Sequence, residues 1–306
     1  MAERTFGAND GHAGRTEDGP SASVVHLRCT AADALSNLVG VLELTADGQV
    51  RCSAATRRPF AATVALVEDV LVAGDYYDGE PIASFAWPLL LQVGGLARRA
   101  GTGLELTTRG RAALARPSYA ALGALWDRWL TGVSHDELSR IEAIKGQRRG
   151  ATLIPAATRR AAVAAGLAAV RPGAWTQLGA LLSILRTASP RLAVTRSLMA
   201  RWRLYIADSY YGSLGHAGPQ AWDIIEGRYA MCVLLEYAAT IGLIDVAYAD
   251  PRGARDDYRA LWGADQYPCL SRYDGLLAVR VNELGAAILH DPDALPSLGL
   301  PVPRRA

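Results

Sequence analysis

Apolar positions along this chain recur mostly with the period of amphipathic helices, and the exceptions are two short stretches where the spacing tightens to that of strands. From Thr30, the residues Leu35, Leu38, Val39 and Leu42 return three or four apart, and Thr30 with Asp33 supplies a capping-type start. An Asp47-Gly48 turn ends that helix, a basic connection follows over 51–59, and Val64, Val67, Leu71 and Val72 mark a second helix over 61–72. After a loop at 74–81, the stretch 82–93 is almost wholly apolar, which predicts a helix buried on every side.

That helix leads into the first change of period. Gly95-Leu96 opens a short strand, Gly101-Thr102-Gly103 turns it, and Leu104-Glu105-Leu106 returns to Thr107, which starts a helix through Gly110, Ala113 and Leu114. The same order comes back near the end of the chain. A long helix over about 221–241 runs into Gly242-Leu243-Ile244-Asp245-Val246, a much longer connection follows, and Val279-Arg280-Val281 returns to Asn282, which starts a helix through Gly285, Ala286 and Leu289. Thr107 and Asn282 are both favourable N-cap residues, each with a glycine three positions later.

Between these units, 117–200 is alanine-rich and helical without a strand signal, and Pro155, Pro172 and Pro190 punctuate it. Ser134 followed by Glu137 forms a capping box. The expected organisation is a disordered tail (1–29), a first unit (30–116), a helical middle (117–200), a second unit (201–290) and an irregular, proline-rich tail (291–306).

The 306 residues, half of them apolar, suffice for a substantial core. No apolar run is long and uninterrupted enough for a membrane span or a signal peptide, so the expectation is a soluble, cytoplasmic protein. Cys29, Cys52, Cys232 and Cys269 lie far apart, which favours four free, buried thiols and no metal site. Lys145 is the only lysine and is followed by Gly146, which excludes a Walker-type nucleotide loop. No cofactor is implied. No nucleophile elbow, paired-histidine zinc motif or dinucleotide fingerprint occurs, and His135-Asp136-Glu137 reads as acidic groups at a helix start, so a non-enzymatic protein is expected.

Charge is distributed unevenly around a net of +2. Arg140, Lys145, Arg148, Arg149, Arg159 and Arg160 face a single acid, Glu142, over 140–160, a local net of +5 and the first candidate for phosphate contact. Arg51, Arg57 and Arg58 form a second basic group, and Arg98 with Arg99 a third on the first hairpin. Residues 208–275 carry ten acids against five arginines, a net of −5 that should repel a polyanion. Within that region Arg272 and Tyr273 are the candidates for contact with a protein partner, being types enriched at interface hot spots.

The order helix, two-stranded ribbon, helix resembles the winged helix-turn-helix superfamily over residues 84–114 and 222–289. The resemblance implies a mainly α fold with small β-ribbons, two winged-helix-like domains flanking the alanine-rich middle. In that superfamily the helix before the ribbon usually enters the major groove. Here both such helices are apolar, which favours packing or docking over base reading, and the expected function, carried by the basic middle and the first-unit arginines, is DNA association through phosphate contacts of low sequence preference, as a regulator or as a subunit of a DNA-handling complex. The alternative is a protein–protein adaptor that uses the winged helices as docking modules without nucleic acid.

Overall fold

The fold was read from a computed structural model in which residues 24–133, 135–147 and 152–300 are described. The chain is mainly α-helical with two small antiparallel sheets, as expected. Strand β1 (His26–Arg28) is followed by α1 (Ala31–Ala46), α2 (Ala61–Val70) and α3 (Ala83–Val93); then come β2 (Ala97–Ala100), β3 (Gly103–Leu106), α4 (Thr108–Ala115) and α5 (Tyr119–Thr131). The middle contributes a 3-10 turn (Glu137–Arg140), α6 (Ala156–Ala168), the two-residue strand β4 (Thr176–Gln177), α7 (Leu178–Thr187) and α8 (Leu198–Arg203). The second long helix follows, its centre α9 (Arg228–Cys232) flanked by wider π turns at Asp223–Gly227 and Val233–Ala238. It leads to β5 (Ile244–Tyr248), β6 (Leu276–Val281) and α10 (Glu283–His290), and a closing 3-10 turn spans Pro292–Ser297.

The two ribbon junctions are built alike, atom for atom. In the first, Gly95 takes φ +67°, Thr107 N–H donates to Leu96 O at 2.9 Å, and the Thr107 hydroxyl both donates to Gly95 O (2.7 Å) and accepts from Gly110 N–H (3.1 Å). In the second, Gly242 takes φ +92° and Asn282 N–H donates to Leu243 O at 3.3 Å. The Asn282 amide there donates to Gly242 O (2.9 Å) and accepts from Gly285 N–H (3.0 Å). A Cβ on Gly110 would sit 2.0 Å from Leu96 O, and one on Gly285 2.0 Å from Leu243 O. Each cap thus satisfies a helix-start amide while locking the helix onto the carbonyl where the ribbon begins, a contact only glycine permits. The likeness runs further than the caps: Pro117 and Pro292 each follow their cap by ten residues.

The ribbons differ in their neighbours. β2 and β3 form a two-stranded ribbon, with Ala97 opposite Leu106 and Ala100 opposite Gly103, and Arg51 makes an isolated bridge to Gly103. β5 and β6 are the centre of a four-stranded sheet of order β1-β5-β6-β4. The end of the expected N-terminal tail is therefore a strand: His26, Leu27 and Arg28 pair with Tyr248, Ala247 and Val246. β4 is likewise a strand within the stretch expected to be purely helical, and the 3-10 turn Pro292–Ser297 gives structure to a segment expected to be irregular. Thr30 is an N-cap by position only, because its hydroxyl donates to Ile244 O and its N–H to Asp245 Oδ1, tying α1 to β5.

α3 is buried from Ala83 to Leu91, and every residue from 224 to 249 of the second long helix and its strand is buried as well. The start of α3 is capped from a distance. Asp75 accepts the backbone N–H of Ile82, Ala83 and Ser84 and the Ser84 hydroxyl, satisfying amides that a helix terminus leaves open. The two pre-ribbon helices pack against each other, Trp129 of α5 stacks on Tyr237 at 4.7 Å, and one apolar core runs through both units and the middle.

Candidate nucleic-acid interface

The loop 51–59 folds back onto the first ribbon instead of standing apart from it. Cys52 N–H donates to Thr102 O (2.8 Å), Leu104 N–H donates to Val50 O (2.9 Å), and the Arg51 guanidinium reaches the Thr102 hydroxyl at 3.0 Å. A turn held by Ser53 and Arg58 puts Arg57 at φ +62°, a left-handed conformation that costs a non-glycine residue about 1 kcal/mol. Arg99 donates to Ala54 O at 2.6 Å.

Two basic groups separated by some 40 residues in sequence thereby become one corner. Arg51, Arg57, Arg98 and Arg99 are exposed, and Arg58 is half-buried with its guanidinium on the Ser139 hydroxyl at 2.5 Å. Arg98 and Glu105, opposite each other across the ribbon, form a solvent-exposed ion pair at 3.3 Å, which contributes little and leaves the corner strongly cationic.

The middle region corrects the expectation drawn from its charge. Arg140, Arg159 and Arg160 are 6%, 1% and 1% exposed, so they cannot reach a phosphate. Arg140 Nε donates to both oxygens of Glu236 (3.0 and 2.9 Å), its Nη2 donates to Pro81 O, and its guanidinium lies 3.6 Å from the Phe85 ring centre. Arg160 binds Glu137 and the carbonyls of Trp129, Gly132 and His135. Arg159 binds Asp136 at 2.5 Å and lies over the Tyr229 ring. Burial works against the charge of Arg140, yet Glu236 beside it holds its pKa above the usual guanidinium value; burial raises Glu137 against the opposing pull of Arg160. A run of cations read along the sequence looks solvated because the carboxylate that answers Arg140 lies 96 residues away. Lys145 is exposed, with its backbone paired to Tyr205; Arg148, Arg149 and Ser134 fall outside the described residues.

The Asp136 carboxylate accepts from Leu138 N–H at the start of the 3-10 turn, in keeping with a structural role for His135-Asp136-Glu137. His135 is pushed down to about 4, by burial first.

The expected partner contact at Arg272 and Tyr273 is also corrected. Tyr273 is fully buried, with its hydroxyl donating to Glu236, so it presents no face to a partner. Arg272 bridges Glu80 (2.6 Å) and Glu142 (3.2 Å) across a cleft of about 750 Å³. Lys145, Asp250 and Cys269 also line this cleft, and Asp250 is engaged by Arg252 at 2.5 Å. Trp87 and Trp222, on the apolar pre-ribbon helices, are 0% and 7% exposed, so those helices are covered by this chain's own core. Cys52 and Cys232 are buried as expected, whereas Cys29 is exposed and Cys269 half-exposed.

Among the described residues no helix is long and apolar enough to cross a membrane, and no cluster of histidine, cysteine and carboxylate groups could hold a metal ion. No protein-family model, curated protein or solved structure matches the chain.

Proposed function

We propose that this is a cytoplasmic protein of winged-helix type that associates with DNA through the arginine-bearing first ribbon, as a regulator or as one subunit of a DNA-handling complex. The observation that carries the reading is the corner formed by Arg51, Arg57, Arg58, Arg98 and Arg99 with Glu105 as its neighbouring acid. Exposed guanidinium groups gathered at one corner suit the planar arrangement of phosphate oxygens. Burial of both pre-ribbon helices supports a backbone-reading mode, since base edges are read by side chains that enter a groove. The acidic second unit repels the polyanion in this reading, and its ribbon serves packing.

The reading is tested by mobility-shift titration of the purified chain against several unrelated double-stranded DNAs at increasing salt. Binding is expected at low salt, with similar affinity for every sequence and a steep loss as salt rises. Undetectable binding at low salt eliminates the reading, and a strong preference for one sequence eliminates its backbone-only form.

A further inference from the structure

The likeness between the two junctions continues past the helices that follow the ribbons, and there the two units diverge in a way that points to an interaction surface. Counting from the caps, Ala112 and Ala113 of α4 correspond to Ala287 and Ile288 of α10. In the second unit Ala287 and Ile288 are 6% and 7% exposed and the chain after Pro292 folds its 3-10 turn along α10, leaving beside them a pocket of about 620 Å³ whose rim carries Glu283 and Asp291 where the first unit has arginines. Leu295 of that turn and Ile288 converge on Gly123 of α5, where a Cβ would meet Leu295 at 2.8 Å and Ile288 at 3.5 Å.

In the first unit the same face is open. Ala112 is exposed and Ala113 half-exposed, and the residue three beyond the proline is Ala120 where the second unit has Leu295. A groove of about 410 Å³ lies between α4 and α5, lined by Ala112, Ala113, Ala120 and Ala121. Arg109 and Arg116 are exposed at its edge, and no carboxylate is among its lining residues.

We infer that this groove is a docking site for a short helical segment of a partner protein that carries leucine or isoleucine on one face and acidic residues beside it. The second unit offers a precedent for a leucine seated beside this helix, because its turn places Leu295 with Ile288 against Gly123. The charge of the rim supplies the sign: two arginines without a neighbouring acid complement an acidic segment. Alanines on both walls let a partner backbone approach closely while its leucines fill the space, which is the helix-in-groove mode of recognition. The site is separate from the ribbon arginines, so a DNA-associated chain could recruit a second protein through it.

The probe is a fluorescein-labelled, helix-favouring peptide with leucine at every third or fourth position and glutamate on the remaining face, followed by anisotropy with the full chain. Saturable binding is expected, weakened at least tenfold by Ala120→Trp, which fills the groove, and by the paired Arg109→Glu and Arg116→Glu changes. Both sites are exposed, and unchanged thermal melting confirms that the variants fold. A peptide with leucine replaced by alanine, and one with lysine for glutamate, should each lose binding. The inference is overturned if the wild-type chain gives no anisotropy change at its highest soluble concentration, or if the filled groove binds as well as the open one. Displacement of the peptide by double-stranded DNA would also overturn it, by making the groove part of the nucleic-acid surface.

Discussion

The first and second units share one junction and differ in nearly everything around it. Around Gly95 and Thr107 the ribbon is two-stranded, bears arginines and leaves the following helix half uncovered; around Gly242 and Asn282 the ribbon is the centre of a sheet, the flanking region is acidic and the following helix is more deeply buried, with the chain's own turn packed along it. The difference teaches that the junction is a packing device, a way to set a helix against the base of a ribbon, and that function depends on what is left exposed once it is built. The second copy contributes to the core. The first keeps a cationic edge and an open groove.

The largest effect should come from the buried ion pair that ties the middle region to the second unit. Arg140→Met strands Glu236 without its cation and should destabilise the chain by about 3–5 kcal/mol in denaturant unfolding. Next come the glycines. Gly110→Ala and Gly285→Ala each force a Cβ to within 2.0 Å of a carbonyl oxygen and should each cost about 3 kcal/mol. Gly285→Ala should lower the melting temperature of the whole chain, whereas Gly110→Ala should in addition weaken DNA association by displacing the ribbon. A large cost at one glycine and none at the other would break the parallel between the junctions.

A pH-dependent contrast follows from the second long helix. Glu226 is buried with one oxygen on Val194 N–H and the other without a partner, and burial pushes it up to about 7 from 4.5. The folded state therefore holds a proton that the unfolded state has lost, and stability declines as pH rises from about 4.5 through about 7. His135 acts in the opposite sense: burial lowers it from 6.5 to about 4, so its contribution declines as pH falls from about 6.5 towards 4. Glu226→Gln should raise stability at pH 8 by on the order of 2 kcal/mol and leave pH 4 unchanged, as read by melting across pH. The smallest effects belong to the caps: Thr107→Ala and Asn282→Ala should each cost about 1 kcal/mol.

What could be read from the sequence was local. A glycine opening a strand is one short signal and a cap with a glycine three residues later is another, so both junctions were legible in residue order even though a long connection separates the two signals in the second. The ten-residue spacing from Thr107 to Pro117 and from Asn282 to Pro292 was equally available as a signal and extends the parallel to the groove. The rest depended on distant partners. Arg140, Arg159 and Arg160 resemble a solvated patch until Glu236, Asp136 and Glu137 are brought to them, and Asp75 looks like a loop residue until α3 begins on its carboxylate. Tyr273 shows the same limit, since an aromatic beside an arginine suits an interface until Glu236 takes its hydroxyl. Conversely, no periodicity linked Arg51 to Arg99; the hydrogen bonds between 50–54 and the ribbon did so.

The most direct test of the proposed role is to compare salt-dependent DNA binding of the wild-type chain with that of an Arg98→Glu, Arg99→Glu variant. The wild-type slope of log affinity against log salt should steepen by roughly 0.9 for each phosphate contacted, and the variant should bind at least tenfold more weakly with a shallower slope. Identical affinity and slope for the two chains would contradict the assignment of the first ribbon as the DNA-contacting element.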